Sequence, residues 1–461
     1  MSNTQQSFNQ AAERASADIE LQRKLKFNIA KYDQAVEKGV QQFADLETAR
    51  QRAKNIKWKT TESLEKFLLE FEANFTRRGG KVIWAETSEE ALREIGTICR
   101  KVSAKSIVKS KSMTTEEIHL NPYLESIGVE VVETDLGEYI QQLDGEPPFH
   151  IVTPAMHKSK EDVARVFNEK LGTPANLTPQ EMTMVARKNL REKYLRADIG
   201  ITGGNFLLAD TGAVVVTENE GNARLSVTFP KIHIAIVGIE KILPSINDLH
   251  LFLPLLATHG TGQNITVYNS IITGPRQENE VDGPEEMFVI LLDNGRTNLL
   301  TQTKQREALY CIRCGACLNA CPVYKSIGGF SYQTTYSGPI GAVITPHLKG
   351  MEQYKHLSHA SSLCGACTEV CPMHINIHGL LVVNRKDGVQ EGYYNKAEKA
   401  GWQIWKRAML SRSLMNRGGS KVKNFMLNAL FKNSWGRERT LPIVTKKSFN
   451  QLWKEKYDGF E

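Results

Sequence analysis

Cys311-Ile312-Arg313-Cys314-Gly315-Ala316-Cys317-Leu318-Asn319-Ala320-Cys321-Pro322, with Cys364-Gly365-Ala366-Cys367-Thr368-Glu369-Val370-Cys371-Pro372 further on, holds seven of the chain's eight cysteines. The first run is the C-x2-C-x2-C-x3-C-P pattern that wraps a cubane iron–sulfur cluster. Its three close thiolates clamp one cluster. The fourth, turned away by the proline, reaches a neighbouring one. A disulfide framework suits short secreted chains, whereas this chain is long, opens on polar Met1-Ser2-Asn3-Thr4-Gln5-Gln6 and clusters its cysteines. Structural zinc also uses C-x2-C pairs, but two pairs a dozen or more residues apart, not three thiols three apart followed by C-P. Buried free thiols have no reason to repeat at this spacing.

The second run lacks the first cysteine of a full motif, and Ser361 stands in its place. With the fourth-thiolate exchange, Cys311, Cys314, Cys317 and Cys371 complete the first cluster. The second is left with Cys321, Cys364 and Cys367. Its remaining iron falls to the Ser361 hydroxyl, a nearby histidine such as His359, water or a partner, or is absent, leaving a three-iron centre. Both clusters are expected to be of the 4Fe-4S type, with this alternative open for the second.

At 461 residues, 41% hydrophobic and 24% charged, the chain has an ordinary globular composition with room for two or three domains. Its longest apolar stretch, 249–257, is broken by His250 and Pro254, far from the roughly 18 residues of a membrane span. A cytoplasmic or peripheral protein is expected, in reducing surroundings that keep thiols available as ligands. The net charge of +7 is uneven: residues 385–461 carry 17 Lys and Arg against 7 Asp and Glu, and the rest is slightly acidic. The fold as a whole is therefore no nucleic-acid binder. A basic tail can still touch nucleic acid, anionic lipid or an acidic protein, or be a solvated helical surface.

Four segments follow. Residues 1–60 are polar and helix-prone, expected as one or two surface helices packed loosely. Residues 61–300 read as an α/β body, 301–385 as a two-cluster ferredoxin-like module, and 386–461 as a basic helical tail. In the α/β body, Leu64, Phe67, Leu68, Phe71 and Phe75 fall on one helical face that Gly79-Gly80 ends. Short strands are predicted over 81–85, 106–110, 129–133 and 149–153. Capping boxes open helices at Thr87, Thr114 and Thr178, and another helix starts at Ser159. Residues 197–202, 212–217 and 233–237 are strand-like, the first two joined by Gly203-Gly204-Asn205. Strand alternating with helix predicts a mostly parallel sheet covered on both faces.

Candidate sites in this body are weaker. Lys111, Ser112 and Thr114 lie between a strand and a helix start, where backbone N–H groups can hold an anion, or where an ordinary N-cap sits. Glu218 and Glu220, near Arg224, sit at a strand end. They are candidates for a general base or nucleophile with a guanidinium grip on a carboxylate, or for a salt-bridged loop. There is no G-x-G-x-x-G and no G-K-[ST]. Tyr332, Tyr336 and the glycines between the cysteine runs can shield clusters or dock a partner. His374 and His378 read as structural. In the tail, Trp402, Trp405, Met409 and Leu410 share a helical register.

The segments Ile201-Thr-Gly-Gly-Asn-Phe206, Thr211-Gly212, Glu220-Gly-Asn-Ala-Arg224 and Tyr336-Ser-Gly-Pro-Ile-Gly341, both cysteine runs, Trp435-Gly-Arg-Glu-Arg-Thr-Leu-Pro442 and Ser448-Phe-Asn-Gln-Leu-Trp453 together resemble the lactate-utilisation protein B family of bacterial iron–sulfur proteins. The resemblance covers most of the chain. It implies a LUD domain, related to sugar-phosphate isomerases and CoA transferases, fused to the two-cluster module. It implies electron transfer, together with two companion proteins, in oxidation of L-lactate to pyruvate, and a three-cysteine second run as part of the family pattern. CoA transferases use a strand-end glutamate as nucleophile; no motif match here transfers that role to Glu218 or Glu220. Two other functions stay open: a carboxylate-, CoA- or phosphate-binding catalytic α/β domain with accessory clusters, and a redox sensor or scaffold.

Overall fold

A computed structural model describes residues 2–435 and 440–457. Ten strands form two sheets: β1 (Lys81–Ala85), β2 (Ser106–Lys109), β3 (Glu130–Glu133), β4 (Ile199–Gly203), β5 (Phe206–Leu208), β6 (Ala213–Glu218), β7 (Ile232–Gly238), β8 (Ile242–Leu243), β9 (Tyr268–Ile272) and β10 (Glu286–Leu292). The main sheet is six-stranded and wholly parallel, in the order β1-β10-β7-β4-β2-β3. A second sheet, β8-β5-β6-β9, is largely antiparallel. The expected parallel α/β sheet is present. The second sheet is an addition, and it separates two segments that the sequence joins: Ile199–Gly203 belongs to one sheet and Ala213–Glu218 to the other.

Alternation along the strands builds two cores, because successive side chains leave a strand on opposite faces. Ile234, Ile236, Ile290 and Leu292 pack with Ala91, Ile95 and Ile98 of the helix Ser88–Lys101. Ala235, Val237, Val289 and Leu291 face Val214 and Val216 of the second sheet, with Leu64, Leu68, Phe71 and Phe75 of the helix Leu64–Arg77. The caps expected at Thr87, Ser159 and Thr178 form. At the fourth, Ser112 rather than Thr114 is the cap: its hydroxyl accepts the Thr115 N–H and opens the short helix Met113–Glu117.

Two expectations fail. Residues 149–153 are not a strand but an irregular loop. Pro147, Pro148 and Pro154 break regular pairing on either side, and Phe149 is drawn instead into an aromatic nest with His157, Tyr324 and Phe330. The N-terminal region is not loosely attached. Its three helices, Asn3–Ala17, Ile19–Gly39 and Leu46–Glu62, bury Phe8, Leu25, Ile29 and Ala53 in the same core as the cysteines.

The first of two compact units, 1–388, gathers the N-terminal helices, the α/β body and the cysteine region. The second, 389–461, carries the helices Lys396–Met409, Arg412–Asn416, Gly419–Trp435 and Phe449–Tyr457. Trp402 and Trp405 meet edge to face at 5.5 Å and are exposed. Residues 436–439, in the Trp435–Pro442 stretch noted in the sequence, lie outside the described residues. No helix among the described residues is long and apolar enough to cross a membrane.

Candidate functional site

Both cysteine runs repeat one backbone form. Arg313 (φ 61°) and Gly315 (φ 80°) bracket Cys314 in the left-handed region, as Leu363 (φ 55°) and Gly365 (φ 87°) bracket Cys364. The glycine is what makes the second of these turns inexpensive, and each is followed by a short helix, Ala316–Ala320 and Ala366–Glu369. In the first run the Arg313 N–H donates to Cys311 Sγ at 3.4 Å. In the second the Leu363 N–H donates to Ser361 Oγ at 3.1 Å. His359 ends the 3-10 turn Lys355–His359, two residues earlier in the chain.

The thiols fall into two groups that feel one another's charge. Burial first, then Cys311 and Cys371, raise the Cys314 thiol; Cys317 is raised by burial and by Cys311, Cys314 and Cys371. Cys371 is pushed up to about 12 by burial, with Cys311 adding. In the other group, Cys367 is pushed up to about 11 by burial, Cys321 and Cys364, and Cys321 is raised by burial and Cys364. Cys364, at the surface, is lowered by the Ala366 N–H. Four thiols thus cluster in one place and three in another.

The amide N–H groups aimed at these sulfurs suit thiolate ligands. Tyr324 N–H donates to Cys321 Sγ at 3.5 Å. Those of Ala316 and Ile340 point at Cys314 and Cys317, and those of Met373 and Ile375 at Cys371. Ile340 belongs to the first turn of the helix Gly338–Lys349, whose positive end favours a thiolate. Such donors stabilise sulfur charge and tune cluster potential. Zinc would need its donors converged on one point, about 2.3 Å from each sulfur. Among the described residues no three His, Cys, Asp or Glu side chains close around a single ion. The donor sets fit two multi-iron cores, and Tyr324, Tyr332 and Tyr336 are buried beside them, while Cys364 of the second group reaches the surface.

Other parts of the chain hold this module in place. Arg50 donates to the Cys371 carbonyl at 2.7 and 3.1 Å and to the Glu369 carbonyl at 2.7 Å. Lys54 donates to the His374 carbonyl at 2.9 Å. A buried ionic network joins the module to the α/β body. Arg296 donates to Glu117 at 2.8 and 2.9 Å and to Glu240 at 2.5 Å; Tyr336 donates to Glu117 at 2.5 Å; Arg313 lies 3.6 Å from Glu240. Opposed charges hold the Glu240 carboxyl down to about 2 against its burial, Arg296 being the strongest. His374 pairs with Glu47 at 3.1 Å and His378 with Thr368 at 2.7 Å, as structural histidines do.

A cavity of about 380 Å³ opens at the carboxyl ends of β2, β4 and β7, the usual ligand crevice of a parallel sheet. Lys111, Ser112, Thr114, Glu218 and Glu220 line it; Arg224 does not. The Arg224 guanidinium lies 5.6 Å from the Tyr268 ring centre. The expected grip of Glu218 and Arg224 on one substrate is thus not formed. Glu218 instead accepts the Ala223 and Arg224 N–H groups at 2.7 and 2.9 Å, closing the turn into the helix Asn222–Thr228. Lys111 donates to the Val152 carbonyl at 2.6 Å and lies 3.6 Å from Asp135. Glu220 accepts the Leu136 N–H at 3.0 Å, and its carboxyl is pushed up to about 7 by partial burial and by Asp135. Lys241, Arg313 and Cys314 also line the cavity. Sequence reading missed these two cations: Lys241 lies in no motif and Arg313 is a variable position of the cysteine motif, and they meet only because the fold brings the cysteine run to the end of β7.

Residues 68–292 match the LUD domain and residues 307–375 the 4Fe-4S dicluster domain. The chain is 43% identical over 433 residues to lactate utilization protein B of Bacillus thuringiensis (strain Al Hakam), covering 92% of this chain and 91% of the relative. The same figures hold for the proteins of that name from Bacillus cereus (strain AH187) and Bacillus anthracis (strain A0248). A crystal structure of a DUF162 family protein from Deinococcus radiodurans aligns with 50% of this chain and 98% of its own at 15% identity and a TM-score of 0.29.

Proposed function

Because the chain belongs to the lactate utilization protein B family, with a LUD domain and a module for two 4Fe-4S clusters, we propose that it transfers electrons during oxidation of L-lactate to pyruvate, together with two partner proteins in the cytoplasm. The observation that carries this reading is the gathering of the seven thiols into two neighbouring groups, five of them inside one buried core. When bound, the clusters would accept and pass single electrons.

In this proposal Cys311, Cys314, Cys317 and Cys371 hold the first cluster, and Cys321, Cys364 and Cys367 hold the second. Ser361, in the place Cys311 takes in the first run, would hold the second cluster's remaining iron. Four protons leave the first group on loading, which the surrounding N–H groups favour. The buried tyrosines limit water on the inner side of the module, and Arg50 fixes the Cys371 backbone. Lactate gives up two electrons, so a two-electron centre elsewhere takes them first and hands them on singly.

The test is lactate-dependent bleaching and EPR of the clusters in the purified chain assembled with its partners under anaerobic conditions. Reduction by lactate that is lost in Cys314→Ser supports the relay. Stoichiometric zinc without acid-labile sulfide, or clusters that lactate never reduces, rejects it.

A further inference from the structure

The C-terminal unit, residues 389–461, sets exposed apolar side chains beside cations. Four of the chain's six tryptophans lie in it, at positions 402, 405, 435 and 453. Its helix Lys396–Met409 buries no residue. Trp402 is 61% exposed, Trp405 55% and Met409 42%. At 3.6 residues per turn, places i, i+3 and i+7 put these three on one face, where the two indole rings meet edge to face. Lys396, Lys399, Lys406 and Arg407 take the other side, with Lys399 and Lys406 bordering Trp402. The helix's one acid, Glu398, stands in the first turn, where the helix dipole favours it. In the helix Phe449–Tyr457, exposed Phe449, Leu452 and Trp453 repeat the stripe at i, i+3 and i+4, near Lys454 and Lys456. Chains that stay free in water rarely leave such aromatic patches open to it.

We propose that this unit docks on an anionic lipid surface. The helix Lys396–Met409 lies in the plane of the interface, with Trp402, Trp405 and Met409 at the acyl boundary and Lys399 and Lys406 among the headgroup phosphates. Three observations choose this occupant. Residues 385–461 carry 17 Lys and Arg against 7 Asp and Glu, so the surface they meet is negative. Indole rings, an apolar body with one polar N–H, settle at headgroup level. The 14 residues of the helix fall short of the roughly 20 that span a bilayer, so it lies flat. Other occupants fit less well. Single-stranded nucleic acid needs rings and cations in one groove, and here they take separate faces. An acidic protein would engage the cations and leave the tryptophan face in water, whereas a bilayer satisfies both. Docking of this kind requires neither cluster and is independent of electron transfer.

The experiment uses the full-length, cluster-loaded chain with two kinds of vesicle, phosphatidylcholine alone and equal parts of phosphatidylcholine and phosphatidylglycerol. Co-sedimentation is paired with tryptophan fluorescence. The chain is expected to sediment with the anionic vesicles and not the neutral ones, with its emission shifted to the blue, and to be released as salt is raised. Trp402→Ser with Trp405→Ser, and separately Lys399→Glu with Lys406→Glu, are each expected to weaken binding about tenfold or more with iron content unchanged. All four side chains are exposed, so neither pair disturbs a core. No binding to the anionic vesicles, equal binding to both kinds, or affinity indifferent to both pairs of substitutions overturns the inference. So does a dimer in solution that the tryptophan substitutions abolish, or tighter retention on single-stranded DNA than on anionic vesicles. Vesicle binding as expected, in a chain whose clusters lactate never reduces, upholds docking and rejects the relay.

Discussion

Ser361 occupies in the second cysteine run the place Cys311 occupies in the first: each accepts the N–H of the residue two positions on, at 3.1 and 3.4 Å, and each such residue is left-handed. An oxygen therefore stands where the motif calls for sulfur. Ser361→Ala is expected to raise the three-iron EPR signal after brief exposure to air, and Ser361→Cys to suppress it. Equal signals in both variants and the parent would remove Ser361 from the cluster's surroundings.

The two thiol groups predict an unequal response to cysteine loss. Cys314→Ser is expected to cost roughly half the bound iron, because one cluster of two is lost. Cys99, buried under the parallel sheet in the helix Ser88–Lys101, is distant from both groups in the fold. Cys99→Ser should leave iron and sulfide unchanged, as measured by colorimetric iron and acid-labile sulfide assays.

Arg296 compensates two buried carboxylates, Glu117 and Glu240. Arg296→Met leaves both without their main partner, a loss on the order of 3–5 kcal/mol. Tyr336→Phe removes one donor to Glu117 and is expected to cost about 1–3 kcal/mol. Urea unfolding of the cluster-loaded chain separates these magnitudes. A shift in Arg296→Met no larger than that of Tyr336→Phe would contradict the network's role as the joint between sheet and cysteine module.

Acid should destabilise the fold through its buried imidazoles. His233 is fully buried, shares a 2.8 Å hydrogen bond with Thr202, and is held down to about 3 by burial. It is neutral in the folded chain, while the unfolded chain takes up a proton near pH 6.5. Its contribution is complete above pH 6.5 and is lost as pH falls toward 3, amounting to about 2 kcal/mol by pH 5. The urea midpoint of His233→Gln should vary less with pH over that window. An identical slope would show that His233 does not titrate on unfolding. Glu220 acts in the opposite sense, since a raised carboxyl favours the fold at low pH, but its access to solvent keeps that effect small.

The cluster module was legible because its chemistry is written in local spacing, three thiols three residues apart and a proline. The parallel sheet was legible because strands and capped helices alternate: the helix start at Ser159 and the box at Thr178 formed as read. What escaped depends on distant partners. Residues 149–153 have strand composition, but Phe149 finds Tyr324 and Phe330 instead of a neighbouring strand. The polar helices 3–62 each hide a few apolar residues that acquire meaning only against the cysteine core. Arg224 looked like a substrate grip by proximity in sequence, yet stacks by Tyr268, while Lys241 and Arg313, 72 positions apart, share the cavity wall.

The placing of Cys371 within charge range of Cys311, Cys314 and Cys317 has a consequence for biosynthesis. Ribosomes deliver the chain from its N-terminus, so the first three thiols of that group, at positions 311, 314 and 317, emerge well before the fourth at 371. Until Cys371 leaves the exit tunnel the early thiols are an incomplete set, open to oxidation or to a scavenged metal. The helix bearing Arg50 is made long before and waits to grip the Cys371 carbonyl. Maturation is thereby deferred to a nearly finished polypeptide, and a chain truncated ahead of residue 364 would forfeit both centres together.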